Sequence, residues 1–215
     1  MTTWANLLND IRTDLKDTGA TQKFSNAVLY LAAKDAIRDY SLHLPRVIFR
    51  ELLTVANGVY PLPDNFIRVV EVECPLDTYL EERQVRPGVR FTSSAIPTQY
   101  IIEGTNLRLN AETSEGVYLT YEARHLLPDD EDDTTFEMTV SEADEELIRL
   151  YVKAKLSEQM RTKQAALDRF KQGAGRRDDN PLEPEVGDLM AEYRMKIAER
   201  SSGGIILLFR PGRRR

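Results

Sequence analysis

One cysteine, two histidines and one tryptophan in 215 residues leave little material for several kinds of chemistry. The lone Cys74 excludes an intramolecular disulfide and a multi-cysteine metal site, and its expected role is that of a strand residue. His43 and His125 lie far apart in the chain, and neither has the spacing of a metal ligand. Thiol proteases and histidine-rich zinc sites therefore lack their groups. The G-x-S-x-G turn, the G-x-x-x-x-G-K-[ST] loop and the G-x-G-x-x-G fingerprint are missing; Gly173-Ala174-Gly175 runs into arginines and has no strand before it. The 35 acidic residues could supply a glycosidase-like carboxylate pair, but nothing in their spacing selects one. Neither an enzyme nor a cofactor is expected.

No apolar run approaches the roughly 18 residues of a membrane-spanning helix. The start, MTTWANLLNDIRTDL, contains acids and has no basic segment followed by an apolar one, so a soluble protein without a secretory signal or membrane contact is expected. A net charge of -6 argues against a general nucleic-acid binder. Hydrophobic residues at 41% and charged residues at 30% are ordinary globular values, and the length allows one large domain or two small ones.

Helical periodicity opens the chain. Trp4, Leu7, Leu8, Ile11 and Leu15 recur at intervals of three and four, which predicts an amphipathic helix ending near Gly19. Ser25 is the cap of a second predicted helix, whose face Leu29, Ala33, Ala36, Ile37, Tyr40 and Leu44 runs until Pro45. The short connection predicts that the two pack antiparallel against each other. From Arg46 the pattern changes to strands. RVIFRELLTV is rich in branched residues and leads to Asn57-Gly58, a strong hairpin signal. Val59 to Asp64 contains Pro61 and Pro63 and so belongs on a sheet edge. Phe66 to Cys74 is a further strand, and Pro75 to Thr98 reads as charged and irregular. Tyr100 to Ile102 and Leu107 to Leu109 flank Glu103-Gly104-Thr105-Asn106 as a hairpin. Gly116 to Arg124 completes the set, with Val117, Leu119 and Tyr121 on one face.

Leu127 to Glu146 carries ten acids and no lysine or arginine. An EF-hand counted from Asp129 needs glycine at its sixth position and glutamate at its twelfth, where this chain has Thr134 and Val140. The stretch reads instead as a solvated loop entering a long helix, capped by Ser141, with acids in the first turn that suit the helix dipole. That helix runs to about Lys171, with Leu147, Leu150, Tyr151 and Ala154 on one face and Ile148, Val152, Leu156, Met160, Leu167 and Phe170 on a second. A polar link over Gly173 to Pro181 precedes a last helix marked by Val186, Leu189, Met190, Tyr193 and Ile197, with its stop near Ser201. The fold class is α+β: a helical bundle with an inserted antiparallel β domain. The divisions are an N-terminal helix pair at 1–45, the β domain at 46–126, an acidic loop and C-terminal helices at 127–202, and an extended arm at 203–215.

The arm reads GGIILLFRPGRRR. Ile205, Ile206, Leu207, Leu208 and Phe209 are consecutive, and burying such side chains is worth roughly 1.5 to 3 kcal/mol each. Arg210, Arg213, Arg214 and Arg215 could grip phosphates. Their apolar neighbours favour acids on a protein partner, so these nine residues are the candidate partner-binding site.

The opening helices around Trp4-Ala5-Asn6-Leu7-Leu8 and Phe24 to Tyr40, the phrase Tyr60-Pro61-Leu62-Pro63-Asp64-Asn65-Phe66 leading into Val69-Val70-Glu71-Val72, and the order of the later helices and tail carry a resemblance. The chain resembles the head-to-tail adaptor, or connector, proteins of tailed bacteriophages, in particular the short-tailed phages whose adaptors have a β-rich insertion. The resemblance implies a structural virion protein assembled in the host bacterial cytoplasm. It implies a homo-oligomeric ring of twelve beneath the portal protein, with tail nozzle or fibre proteins on the far side and DNA passing through without specific binding. It also implies that the arm packs against the portal. The alternative is a stand-alone monomeric binding module whose arm docks as a strand on its own β domain; the Gly203-Gly204 hinge allows it.

Overall fold

The computed structural model describes residues 2–19, 22–56, 59–83, 94–171 and 182–203. They form two compact units, one drawn from Met1–Leu44 and His125–Arg215, the other from Pro45–Arg124. The fold is α+β, with a helical part and an inserted β part.

In the helical unit, α1 (Trp4–Asp14) starts on Thr3, whose side chain accepts from the Asn6 amide. It ends earlier than its apolar spacing suggests. Lys16 takes a left-handed conformation (φ 53°), the Asp17 amide bonds back to the Arg12 carbonyl, and the Asp17 carboxylate receives the Arg12 guanidinium at 2.9 Å. That reversal stops the helix one turn before Gly19. Ser25 caps α2 (Asn26–His43) as expected, accepting from the Val28 amide. A 3-10 turn, Glu142–Asp144, precedes α3 (Glu145–Lys171). Ser141 is therefore not the cap of the α-helix itself: its hydroxyl donates to Asp144 rather than accepting from a helix amide. The unit is completed by α4 (Leu182–Gly203).

α3 packs against α1, α2 and α4, and α1 and α2 also touch directly: the Trp4 and Tyr30 rings meet edge to face, and the Arg12 guanidinium donates to the Asn26 side chain. Leu147, Ile148, Val152, Ala154 and Leu156 are all buried on α3, which explains its two apolar faces: an element with neighbours on several sides must be apolar on several sides. The shared core also takes in Trp4, Leu7 and Ile11 of α1, Leu29, Ala33 and Ile37 of α2, and Tyr193 and Ile197 of α4. Met160 is partly exposed, and the side chains of Leu167, Phe170 and Val186 lie outside the described part.

The β unit holds β1 (Arg46–Leu53), β2 (Tyr60–Pro61), β3 (Phe66–Glu73), β4 (Glu81–Glu82), β5 (Gln99–Glu103), β6 (Asn106–Leu109) and β7 (Val117–Ala123). These build two sheets, ordered β1-β7-β3 and β2-β6-β5-β4. β7 is the centre of the first sheet, antiparallel to both neighbours, and its inward face Val117, Leu119 and Tyr121 is buried with Leu53 and Val72. The proline-bearing strand β2 is at an edge. The β5–β6 hairpin turns at Gly104 (φ 62°), where a residue without a side chain avoids backbone strain. Two features depart from expectation. β4 interrupts the irregular stretch and pairs parallel to β5, so the unit is not purely antiparallel; a two-residue strand has no periodicity to read. Cys74 sits just beyond β3, buried, on a cis bond to Pro75. The Asn57-Gly58 turn lies outside the described residues, though Ala56 and Val59 on either side exchange both backbone hydrogen bonds.

Candidate partner-binding surfaces

The acidic loop after the β unit is tied down along its length. The Trp4 indole N–H, fully buried at the root of α1, donates to the Glu131 carbonyl at 2.8 Å, and the Trp4 amide donates to the Phe136 carbonyl at 2.9 Å. The Tyr30 hydroxyl of α2 donates to the Pro128 carbonyl at 2.7 Å, and the Met138 amide donates to the Thr2 carbonyl. Met138 and Val140 then enter the helical core. Anchored in this way, Asp129, Asp130, Asp132 and Asp133 stand exposed on a fixed base. The Tyr30 phenol is pushed above its ordinary pKa by burial, then by the charges of Asp129, Asp130 and Glu131. The surface is negative, but no group of three or more candidate metal ligands occurs among the described residues.

The ends of α2 and α4 and the first half of α3 enclose a groove of about 400 Å³. Tyr151 and Tyr193 meet edge to face at its floor, ring centroids 5.1 Å apart, beside Ile197 and Met190. The Tyr193 hydroxyl donates to Asp39 at 2.6 Å. Burial first, and then the bond to the Asp39 carboxylate, push the Tyr193 phenol up. It stays protonated as a donor, and the aromatic wall is fixed in place.

The histidines hold backbone rather than forming a reactive pair. The His125 ring nitrogens lie 2.9 Å from the Thr139 carbonyl and 3.0 Å from the Leu44 carbonyl, and the ring stacks at a tilt on Tyr40. His43, exposed at the end of α2, is near the Asp39 carbonyl.

On the β unit the open edge of β1 carries the most exposed apolar group. Phe49 is 70% exposed, Leu52 57% and nearby Val55 62%. A bulge between Ile48 and Glu51 sets this up, with Arg50 left-handed (φ 52°) and its guanidinium bonded to the buried Glu73 carboxylate and to Asp77. The extra residue breaks the alternation, leaving apolar side chains on both faces of one strand. A second hollow of about 420 Å³ is bounded by Val55, Tyr60, Arg108 and Asn110.

Sequence reasoning did not single out the helical groove or the β1 edge. The adjacent apolar pairs Ile48-Phe49 and Leu52-Leu53 were the available signal for the edge, since a strand with one wet face has no use for both members of a pair. The groove left none, because its floor is built from the same stripes that form the core. The nine residues expected to bind a partner, Ile205 to Arg210 and Arg213 to Arg215, lie outside the described residues; α4 runs to Gly203, just before them.

Among curated proteins none matches this chain. The family model described as SU10 adaptor protein matches residues 2–187, which take in the whole β unit and the helical unit up to the first turns of α4. The chain belongs to the SU10 adaptor protein family.

Proposed function

We propose that this structural phage protein is the subunit of a head-to-tail ring, twelve copies seated beneath the portal, with tail nozzle or fibre proteins on the opposite side. The adaptor family match over residues 2–187 is the observation that carries the reading. On this reading the helices build the ring body, the β unit presents the β1 edge to tail components, and DNA passes without specific binding. The net charge of -6 and the fixed acidic loop support passage without adhesion, because both repel a phosphate backbone. Assembly takes place in the bacterial cytoplasm.

The arm at 203–215 is the portal contact. Ile205 to Phe209 fill an apolar groove or add to a sheet edge on the portal, and Arg210 and Arg213 to Arg215 meet acids there. Repetition around the ring multiplies the strength of each arm. The experiment is to delete residues 203–215 and measure co-sedimentation with portal. The truncated protein should fold, with Trp4 still shielded from solvent, and should no longer hold the portal. Unchanged portal binding would overturn the assignment of the arm.

A further inference from the structure

We propose that the groove between α2, α3 and α4 is the resting site of the chain's own segment Ile205–Phe209 in the free subunit. Three observations converge on this occupant. The first is position: Ser201 lines the groove, and Ile205, the first residue of the apolar segment, follows only four residues later in the chain. The second is reach. Tyr193 lies ten residues before Gly203, about 15 Å back along the helix at 1.5 Å per residue. Residues 204–209 in extended form cover about 20 Å. Gly203-Gly204 supplies a reversal that other residues would resist. The third is chemistry. Tyr151, Met190, Tyr193 and Ile197 offer an apolar floor, and a segment folded back this far brings Arg210 to the level of Asp39, the carboxylate held by Tyr193.

A tethered segment meets its site at an effective concentration on the order of millimolar, so a weak groove suffices to hold it. The same weakness lets a better site win. The consequence for assembly rests on the proposed portal role of the arm: portal competes for the segment, and unassembled subunits keep five apolar residues out of water. The docking itself does not depend on that role and is tested without portal.

The test uses the full chain with methyl-labelled isoleucine and leucine. Nuclear Overhauser contacts from the methyls of Ile205 to Leu208 to the rings of Tyr151 and Tyr193 are expected in the wild type. They should vanish in Ala198→Glu, which puts a charge on the exposed groove wall, and in Ile206→Asp/Leu208→Asp, which leaves the helical body untouched. Unchanged contacts among the core methyls serve as the folding control. Absence of the contacts in wild type overturns the proposal, as does their persistence in both variants. Contacts that appear between labelled and unlabelled chains in a mixed sample assign the segment to a neighbour's groove and overturn the intramolecular assignment.

Discussion

Replacing Arg12 with methionine should destabilise the helical unit by about 3 kcal/mol, the lower end of the range for breaking a buried ion pair. The arginine and Asp17 side chains are only 7% and 1% exposed. The guanidinium bonds Asp17 at 2.9 Å, the Phe24 carbonyl at 3.2 Å and the Asn26 side chain at 2.6 Å. Methionine keeps the length of the stem but supplies none of these donors, so a carboxylate is left in a dry site. The lower end applies because Asp17 still accepts from the Lys23 and Phe24 amides at 2.6 and 3.3 Å. The assay is urea unfolding followed by the fluorescence of Trp4. As the single tryptophan, fully buried in the helical core, it reports this unit alone. With a slope of about 2 kcal/mol per molar urea, the midpoint should fall by roughly 1.5 M. Arg12→Met/Asp17→Leu should recover part of the loss, because the stranded charge is gone while the two amides still lack an acceptor. A shift below about 0.5 M in the single variant would refute the view that this pair closes the turn from α1 to α2.

Trp4→Phe removes the indole donor to Glu131 and should cost about 1 kcal/mol for the bond, more with the lost packing; hydrogen exchange of the 129–135 amides should quicken, and unaltered exchange would show that the loop holds itself. Tyr100 and Tyr121 are pushed up to about 12, Tyr100 by burial and then the Glu82 charge, Tyr121 by burial and then its bond to Glu51. Their contribution to stability is complete below the unfolded value near 10 and is lost as pH rises from about 10 to about 12; ultraviolet titration of all tyrosines near pH 10 with the fold intact would contradict it. Phe49→Lys/Leu52→Lys, on an exposed edge, should change stability by under about 0.5 kcal/mol per site, yet abolish binding of tail proteins; retained binding would remove β1 as the docking edge.

The elements whose neighbours lie on one side were legible in the sequence. Ser25 and the Ala33-Ala36-Ile37-Tyr40 face gave α2, and Val117, Leu119 and Tyr121 gave the inward face of β7. What failed depended on contacts distant in sequence or too short to have a period. The end of α1 is set by Asp17 folding back on Arg12, not by the apolar stripe. The role of α3, which arrives more than a hundred residues later and packs against both α1 and α2, had no signal in the spacing of those two helices. β4 is two residues long and is held by a parallel partner, β5. For the surfaces, the chain displayed its acids and its apolar arm openly. The aromatic groove was hidden because Tyr151 and Tyr193 follow the same spacing as core residues; only their meeting across two helices makes a wall.

The acidic loop shows why charge count alone misleads about chemistry. Five consecutive acids invite a cation, yet two of them are engaged locally: Asp130 accepts from the Asp132 amide, and Asp133 accepts from the amide and hydroxyl of Thr135. Those two carboxylates each stabilise a small turn, and no group of three or more candidate ligands converges among the described residues. Repulsion between neighbours would spread such a loop, and the bonds that resist it come from neutral groups, the Trp4 indole, the Tyr30 phenol and the Thr2 carbonyl. A neutral anchor leaves the charge unquenched. The loop therefore presents fixed negative charge to whatever passes or docks, and a phosphate backbone meets repulsion there while a basic protein segment meets attraction.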